Sequence, residues 1–219
     1  GGRELPDDLL AREIEAVDGV DVELVWFPVY TDSLTAAQAP LRSKLYDEML
    51  ARIQQTDLSV PYRHGSYLYY SRTEEGKQYP IYCRKHGSES APEEVLLDLN
   101  VLAEGHTFMA VGDYEVSPDE RMLAYTTDDN GYRQYRLHVK NLATGDTLAV
   151  TDERVTSVAW TSDSRALFYT QEDATSKRSY RLYVRELGQP NPVLQDEERD
   201  ERFDVNVSLT RSGEWLLYT

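Results

Sequence analysis

Several features that would reveal a function directly are scarce in this chain of 219 residues. It has one cysteine, Cys83, so it cannot form an internal disulfide or a zinc site built from cysteines. We expect Cys83 to be a small buried residue of a strand. The four histidines show no spacing typical of metal ligands, such as His-Glu-x-x-His. The sequence therefore predicts neither a metal nor a cofactor.

Positive charge and long apolar runs are also in short supply. Lys and Arg total 23 against 39 Asp and Glu, which gives a net charge of −16. Nucleic-acid binding needs clustered basic residues, so we expect no such partner, whereas an acidic surface attracts basic ligands. No apolar run approaches the length of a membrane span, and the first residues lack the basic-then-apolar order of a signal peptide. These absences predict a soluble, cytoplasmic protein that does not bind membranes.

The chain does contain a repeated strand pattern. A Leu-x-Tyr step begins at Leu68, Leu123, Leu167 and Leu216, with spacings of 55, 44 and 49 residues. A second motif starts with Tyr, ends with a basic residue and follows three of these steps, at 79–84, 135–140 and 180–185. Two motifs that share one period are typical of a repeat architecture.

Each repeat resolves into four short strands separated by turn residues. The second and third repeats predict strands over 111–116, 121–127, 134–141, 147–150, 155–160, 165–171, 179–186 and 192–195. Four strands in about 45 residues match one blade of a β-propeller. The sequence therefore predicts a mainly β protein with about three and a half blades. Because such a row cannot close a ring, we expect the chain to be part of a longer or split protein.

The N-terminal part follows a different pattern. Residues 6–17 predict a helix and residues 20–26 a strand. Apolar residues that recur every four positions from Leu41 to Ile53 predict an amphipathic helix that begins near Pro40. The expected organisation is an N-terminal segment over 1–29, the helical segment over 30–56, and blades over 57–106, 107–150, 151–198 and 199–219.

Two stretches of the sequence resemble a particular protein family. Residues 72–84, Arg-Thr-Glu-Glu-Gly-Lys-Gln-Tyr-Pro-Ile-Tyr-Cys-Arg, and residues 94–106 resemble the first propeller blade of oligopeptidase B (protease II), within the prolyl oligopeptidase family of serine peptidases. The resemblance covers residues 30–219, and residues 1–29 lack the family's pattern. It implies a seven-bladed propeller above an α/β-hydrolase domain that carries Ser, Asp and His. It also implies cleavage of short peptides after Arg or Lys, with the propeller restricting access.

The catalytic residues themselves are not expected in this chain. No serine lies in the Gly-x-Ser-x-Gly pattern that exposes a hydrolase nucleophile on a tight turn. We therefore expect an inactive propeller portion whose partners are a hydrolase domain, in the same or a separate chain, and short basic peptides. Open blade faces would also favour self-association. The alternative is a standalone propeller-type module that binds a peptide or a protein.

Two charged residues are candidates for a functional role. Glu153 and Arg154 directly precede the predicted innermost strand of the third blade, a position that faces the channel mouth in propellers. We hypothesise that they form inter-domain ion pairs or contact substrate, and the simpler alternative is an ordinary exposed loop. The acidic run at 196–201 predicts a solvated loop between blades, or an acidic lip that attracts basic peptides.

Overall fold

The computed structural model describes residues 31–150 and 152–219, which divide into two compact units between Gln54 and Gln55. The predicted helix over 6–17 and strand over 20–26 lie outside the described residues. Among the helices within these ranges, none is long and apolar enough to cross a membrane.

The described part of the first unit is helical. Residues 31–35 form a helical segment, a 3-10 turn covers Ala36–Gln38, and helix α1 covers Ala39–Ala51. Pro40 lies in the first turn of α1, where a missing backbone N–H costs nothing, so the predicted start is confirmed. The helix ends at Ala51, so Ile53, the last residue of the predicted apolar pattern, lies just beyond it.

The second unit is built of short antiparallel strands. The described residues form β1 Tyr62–His64, β2 Tyr67–Arg72, β3 Ile81–His86, β4 Glu93–Asp98, β5 Ala110–Val116, β6 Met122–Asp128, β7 Arg136–Asn141, β8 Val155–Trp160, β9 Ala166–Glu172, β10 Ser179–Glu186, β11 Val193–Glu197, β12 Val207–Leu209 and β13 Leu216–Tyr218, with a short helix α2 at Leu99–Leu102. The sheets, which we name blades 1 to 4, contain β1–β4, β5–β7, β8–β11 and β12–β13, and each runs in chain order. The predicted mainly β, partial propeller is confirmed.

One predicted strand is absent. The segment over 147–150 forms an isolated bridge between Lys140 and Thr147 and one hydrogen bond from Leu148 N to Val139 O (2.8 Å). The N–H of Val150 then bonds back to the carbonyl of Leu148 (2.9 Å), which turns the chain away from β7. Blade 2 therefore has three strands within the described residues.

The core lies between neighbouring blades, and the Leu-x-Tyr step explains how it is built. Leu123 and Tyr125 pack with residues of blade 1, while Ala124 between them packs with residues of blade 3. This follows from the alternation of side chains along a strand. The corresponding steps at Leu167 and Leu216 also pack against the preceding blade. The repeat therefore marks the side of each blade that contacts its predecessor.

Blade 1 presents the same step on the side away from blade 2. Leu68 and Tyr70 line an open, mainly apolar pocket of ≈ 220 Å³, together with Leu58 and Pro61. Behind Tyr70, Cys83 is only 1% exposed, which confirms the expectation of a small buried strand residue.

Candidate functional site at the strand-start face

The innermost strands and the loops around them form one end of the blades. Strands β5, β8 and β12 lie at the edges of their sheets, and each contacts the next. We name the end at which these strands begin the strand-start face. It is formed by residues 106–109, 129–135, 152–154, 173–178 and 198–206.

Glu153 reaches across this face to blade 2. Its Oε1 lies 3.3 Å from Nη2 of Arg136, and the two side chains are 64% and 50% exposed. An ion pair this exposed contributes about 0–1 kcal/mol. The carbonyl of Glu153 also accepts a hydrogen bond from Nε2 of Gln171 (3.0 Å), so its backbone is fixed while its side chain remains accessible.

Arg154 turns the other way, into blade 3. Its Nη1 lies 3.6 Å from Oε1 of Glu172, which is the last residue of β9 and is only 8% exposed. Nζ of Lys177, on the loop between β9 and β10, lies 3.5 Å from the same oxygen. The structure thus separates Glu153 from Arg154 and places Arg154 in a cluster with two residues that the sequence analysis missed. The pairing of β8 with β9, which places Val155 opposite Gln171, is the signal that would have found Glu172.

Asp152, immediately before these residues, is a buried anchor. Its Oδ1 accepts hydrogen bonds from Nη2 of Arg185 (2.8 Å) and from the hydroxyl of Tyr169 (2.9 Å), and its Oδ2 contacts Nε of Arg185. All three residues are at least 92% buried. Burial, and then the charge of Asp152, raise the pKa of Tyr169, so the phenol remains a neutral donor. This network holds the start of β8 in place.

Basic residues at the end of the second motif join the blades. Arg84 is 4% exposed and donates from Nη1 to the carbonyl of Glu120 in blade 2 (2.9 Å). Lys140 donates from Nζ to the carbonyl of Leu96 in blade 1 (2.9 Å). Charged groups that donate to buried carbonyls form strong hydrogen bonds. The motif therefore contributes to the scaffold rather than to chemistry.

Two carboxylates occupy the innermost strand of blade 2. Asp113 and Glu115 are two residues apart on β5 and so lie on the same face of the strand. Oδ2 of Asp113 accepts a hydrogen bond from the N–H of Val158 in blade 3 (3.1 Å). Desolvation by surrounding protein atoms raises the pKa of the half-buried Asp113. Desolvation, and then the charge of Asp113, also raise the pKa of Glu115 to about 7, although the Glu115 side chain is itself exposed to solvent on β5. This pair gives the inner wall between blades 2 and 3 an acidic character.

The raised pKa of Glu115 makes stability depend on pH. The ordinary pKa of a glutamate is near 4.5, so the folded state binds the proton more tightly than the unfolded state does. The contribution of Glu115 to stability is therefore greatest below about pH 4.5 and falls as pH rises through the interval from about 4.5 to about 7. We expect Glu115→Gln to raise the melting temperature at pH 8 and to leave it unchanged at pH 4, because glutamine resembles the protonated acid. Thermal unfolding at both pH values tests this, with exposed Glu186→Gln as control; an equal effect of Glu115→Gln at both values would contradict it.

The acidic run at 196–201, the remaining candidate from the sequence, contacts blade 3. Asp196 and Glu197, at the start of the acidic run, lie in β11, so the predicted loop is wrong for these two residues. Arg178 donates to the carbonyls of Glu198 (3.2 Å) and Phe203 (2.8 Å), which fixes the chain after β11 against blade 3. Within the described ranges, no group of three His, Cys, Asp or Glu could hold a metal ion.

Comparison with known proteins identifies the family of this chain. Residues 28–219 match the family model of the prolyl oligopeptidase N-terminal β-propeller domain. The chain belongs to this family. It is 40% identical over 205 residues to dipeptidyl aminopeptidase BI of Pseudoxanthomonas mexicana, covering 85% of this chain and 28% of that protein. It is 33% identical over 186 residues to Protease 2 of Moraxella lacunata, covering 79% of this chain and 26% of that protein.

A solved structure supports the same assignment. Oligopeptidase B from Leishmania major superposes with a TM-score of 0.84 at 28% identity, over 94% of this chain and 30% of that chain. The resemblance to oligopeptidase B that residues 72–84 and 94–106 predict is therefore confirmed. The chain spans less than a third of the length of these relatives.

Proposed function

We propose that this chain is the propeller portion of a serine oligopeptidase that cleaves short peptides after Arg or Lys, and that it is inactive by itself. The observation that carries the proposal is the superposition on oligopeptidase B over 94% of the chain. The catalytic Ser, Asp and His would be supplied by an α/β-hydrolase domain in the same protein or in a separate chain. The propeller would limit access to peptides small enough to reach that domain.

The charges of the innermost strands suit basic peptides. Asp113 and Glu115 lie on β5, at the inner edge of blade 2, in a chain with a net charge of −16. A surface of one sign raises the local concentration of ligands of the opposite sign. We therefore assign this acidic wall the role of attracting Arg- and Lys-containing peptides.

Glu153 and Arg154 would act at the strand-start face, where a peptide would enter the propeller. Both directly precede β8, and the Glu153 side chain is 64% exposed, so an incoming peptide or an adjoining domain can reach it. In this proposal Glu153 contacts basic substrate or an adjoining domain, while Arg154 acts with the residues of its own cluster.

Peptide cleavage by the full-length protein is the test. We expect kcat/KM to be far higher for short peptides with Arg or Lys before the cleaved bond than for matched peptides with Ala, and residues 1–219 alone to give no turnover. Equal cleavage after Ala, or turnover by residues 1–219 alone, would contradict the proposal. Peptide binding without turnover by the full-length protein would favour the standalone binding module instead.

The same assay tests whether Glu153 contributes to the binding of basic peptides. We expect Glu153→Lys to raise KM for Arg peptides several-fold while preserving the fold, because its pair with Arg136 is exposed. Glu186→Lys makes the same change in net charge at the exposed opposite end of β10 and should leave KM unchanged. If both variants retain the original kinetics, the role assigned to Glu153 is wrong.

A further inference from the structure

The cluster behind Arg154 contains two cations and one carboxylate. Oε1 of Glu172 faces Nη1 of Arg154 at 3.6 Å and Nζ of Lys177 at 3.5 Å, and both distances are too long for a hydrogen bond. Within the described part of the chain, neither this oxygen nor Nη1 of Arg154 has a hydrogen-bond partner, although both atoms are buried. Buried polar atoms are almost always hydrogen-bonded, so this pair of exceptions requires an explanation.

The neighbouring acids do not complete the cluster. Glu153 is directed to Arg136 in blade 2. Oδ1 of Asp173 accepts hydrogen bonds from the backbone N–H groups of Thr175 (2.9 Å) and Ser176 (2.8 Å), so this carboxylate is engaged within its own loop. Among the described residues, Glu172 is thus the one carboxylate within ion-pair distance of both Arg154 and Lys177.

Both cations are held in position by their backbone. Arg154 and Lys177 have φ values of 59° and 62°, in the left-handed region that residues other than glycine rarely adopt. The carbonyl of Arg154 accepts a hydrogen bond from the N–H of Glu172 (2.9 Å), and the N–H of Lys177 donates to the carbonyl of Asp173 (3.2 Å). Strained backbone that is fixed in this way is concentrated at ligand-binding sites and switches.

The two cations are more accessible to solvent than the carboxylate that they contact. The side chain of Lys177 is 42% exposed and that of Arg154 is 30% exposed, whereas Glu172 lies beneath them at 8%. An anion arriving from solvent therefore meets the ammonium of Lys177 and the exposed part of the Arg154 side chain, whose Nη1 is buried, before it meets the carboxylate. A guanidinium and an ammonium together offer several N–H donors to a carboxylate.

We propose that Arg154 and Lys177 form a carboxylate-binding site for the free C-terminus of a short peptide, with Glu172 occupying the cations when no peptide is bound. The identification of the ligand as a peptide rests on the proposed function. The bound terminal carboxylate accepts hydrogen bonds from the guanidinium and the ammonium, in place of Glu172. A site of this kind at the strand-start face would orient peptides by their C-terminal end.

Binding to this chain can be measured without catalysis. The probe is N-acetyl-dialanine, titrated into residues 1–219 and followed by amide chemical shifts, with the C-terminal amide of the same dipeptide as the matched ligand. We expect saturable shifts at residues 153–178 with the acid and at least tenfold weaker binding of the amide, because the amide lacks the charge. Equal affinity for acid and amide would overturn the proposal.

Substitutions separate a binding site from a purely structural ion cluster. We expect Lys177→Gln and Arg154→Gln each to weaken binding of the acid about tenfold, and Glu172→Gln to strengthen it several-fold because it removes the competing carboxylate. Arg202→Gln removes an equal charge from an 81% exposed arginine and should have no effect. Unchanged affinity in Lys177→Gln, or unchanged or weaker affinity in Glu172→Gln, would overturn the proposal. The Lys177 side chain is 42% exposed, more than those of Arg154 and Glu172, so this variant is expected to retain the fold even if the others do not.

The outcomes are distinguishable from those of the peptidase assay. Failure of the acid to bind leaves the preference of the full-length protein for Arg or Lys peptides untouched. Conversely, if the full-length protein does not cleave peptides, the binding measurement still reports whether Arg154 and Lys177 recognise a carboxylate.

Discussion

Replacing Asp152 with alanine is expected to lower the free energy of unfolding by about 3–5 kcal/mol, because removal of one partner leaves the other charge buried and unpaired. The guanidinium of Arg185 is 4% exposed and would lose both contacts to the carboxylate, while the hydroxyl of Tyr169 would lose its acceptor. Urea-induced unfolding followed by circular dichroism measures this change. We expect this substitution to destabilise the fold strongly, although Asp152 is not a catalytic candidate.

Two further variants show whether the buried charge is the cause. Asp200→Ala removes a carboxylate whose partner, Arg202, is 81% exposed, and should lower stability far less than Asp152→Ala does. The double variant Asp152→Ala/Arg185→Met removes both charges and should be more stable than Asp152→Ala alone. If the double variant is less stable than the single one, the network is not stabilised in the way described.

Replacing Trp160 with alanine should cost a similar amount, about 3–5 kcal/mol, because it opens a cavity between blades. Trp160 is 1% exposed, packs in the core between blades 2 and 3, and donates from Nε1 to the carbonyl of Glu115 (2.9 Å). The substitution therefore removes packing and also leaves a carbonyl without its donor. Denaturant unfolding followed by circular dichroism measures the loss without depending on tryptophan emission.

Trp215 provides the matched control. It is 69% exposed, so Trp215→Ala removes the same side chain from a position with little packing and should change stability by less than about 0.5 kcal/mol. A loss for Trp160→Ala that is no larger than the loss for Trp215→Ala would show that the interface between blades 2 and 3 is not a major source of stability.

The sequence could predict the strands because their periodicity reflects burial. The step from Leu123 to Tyr125 has large apolar residues two positions apart, and a strand places such residues on one face, here against blade 1. The same logic fails over 147–150, where the residues look strand-like but the chain turns back at Val150. Local composition cannot reveal where the chain turns away from the neighbouring strand.

The candidate site was less predictable, because its contacts cross between strands and blades. The sequence drew attention to Glu153 and Arg154 by their place before β8, but it could not show that they face different blades. Glu172 and Lys177 are separated from Arg154 by a complete hairpin. Only the register between β8 and β9 brings them together, and register depends on the pairing of both strands.

The direction of the Leu-x-Tyr step has a consequence for assembly. Because the step faces the preceding blade each time, the two sides of a blade are unlike: in blade 2, Leu123 and Tyr125 face blade 1 while Ala124 faces blade 3. Neighbouring blades therefore meet through unlike surfaces, as in a heterologous contact between subunits. A series of heterologous contacts closes into a ring when the rotation from one unit to the next allows it, so the direction of the step is compatible with a closed propeller.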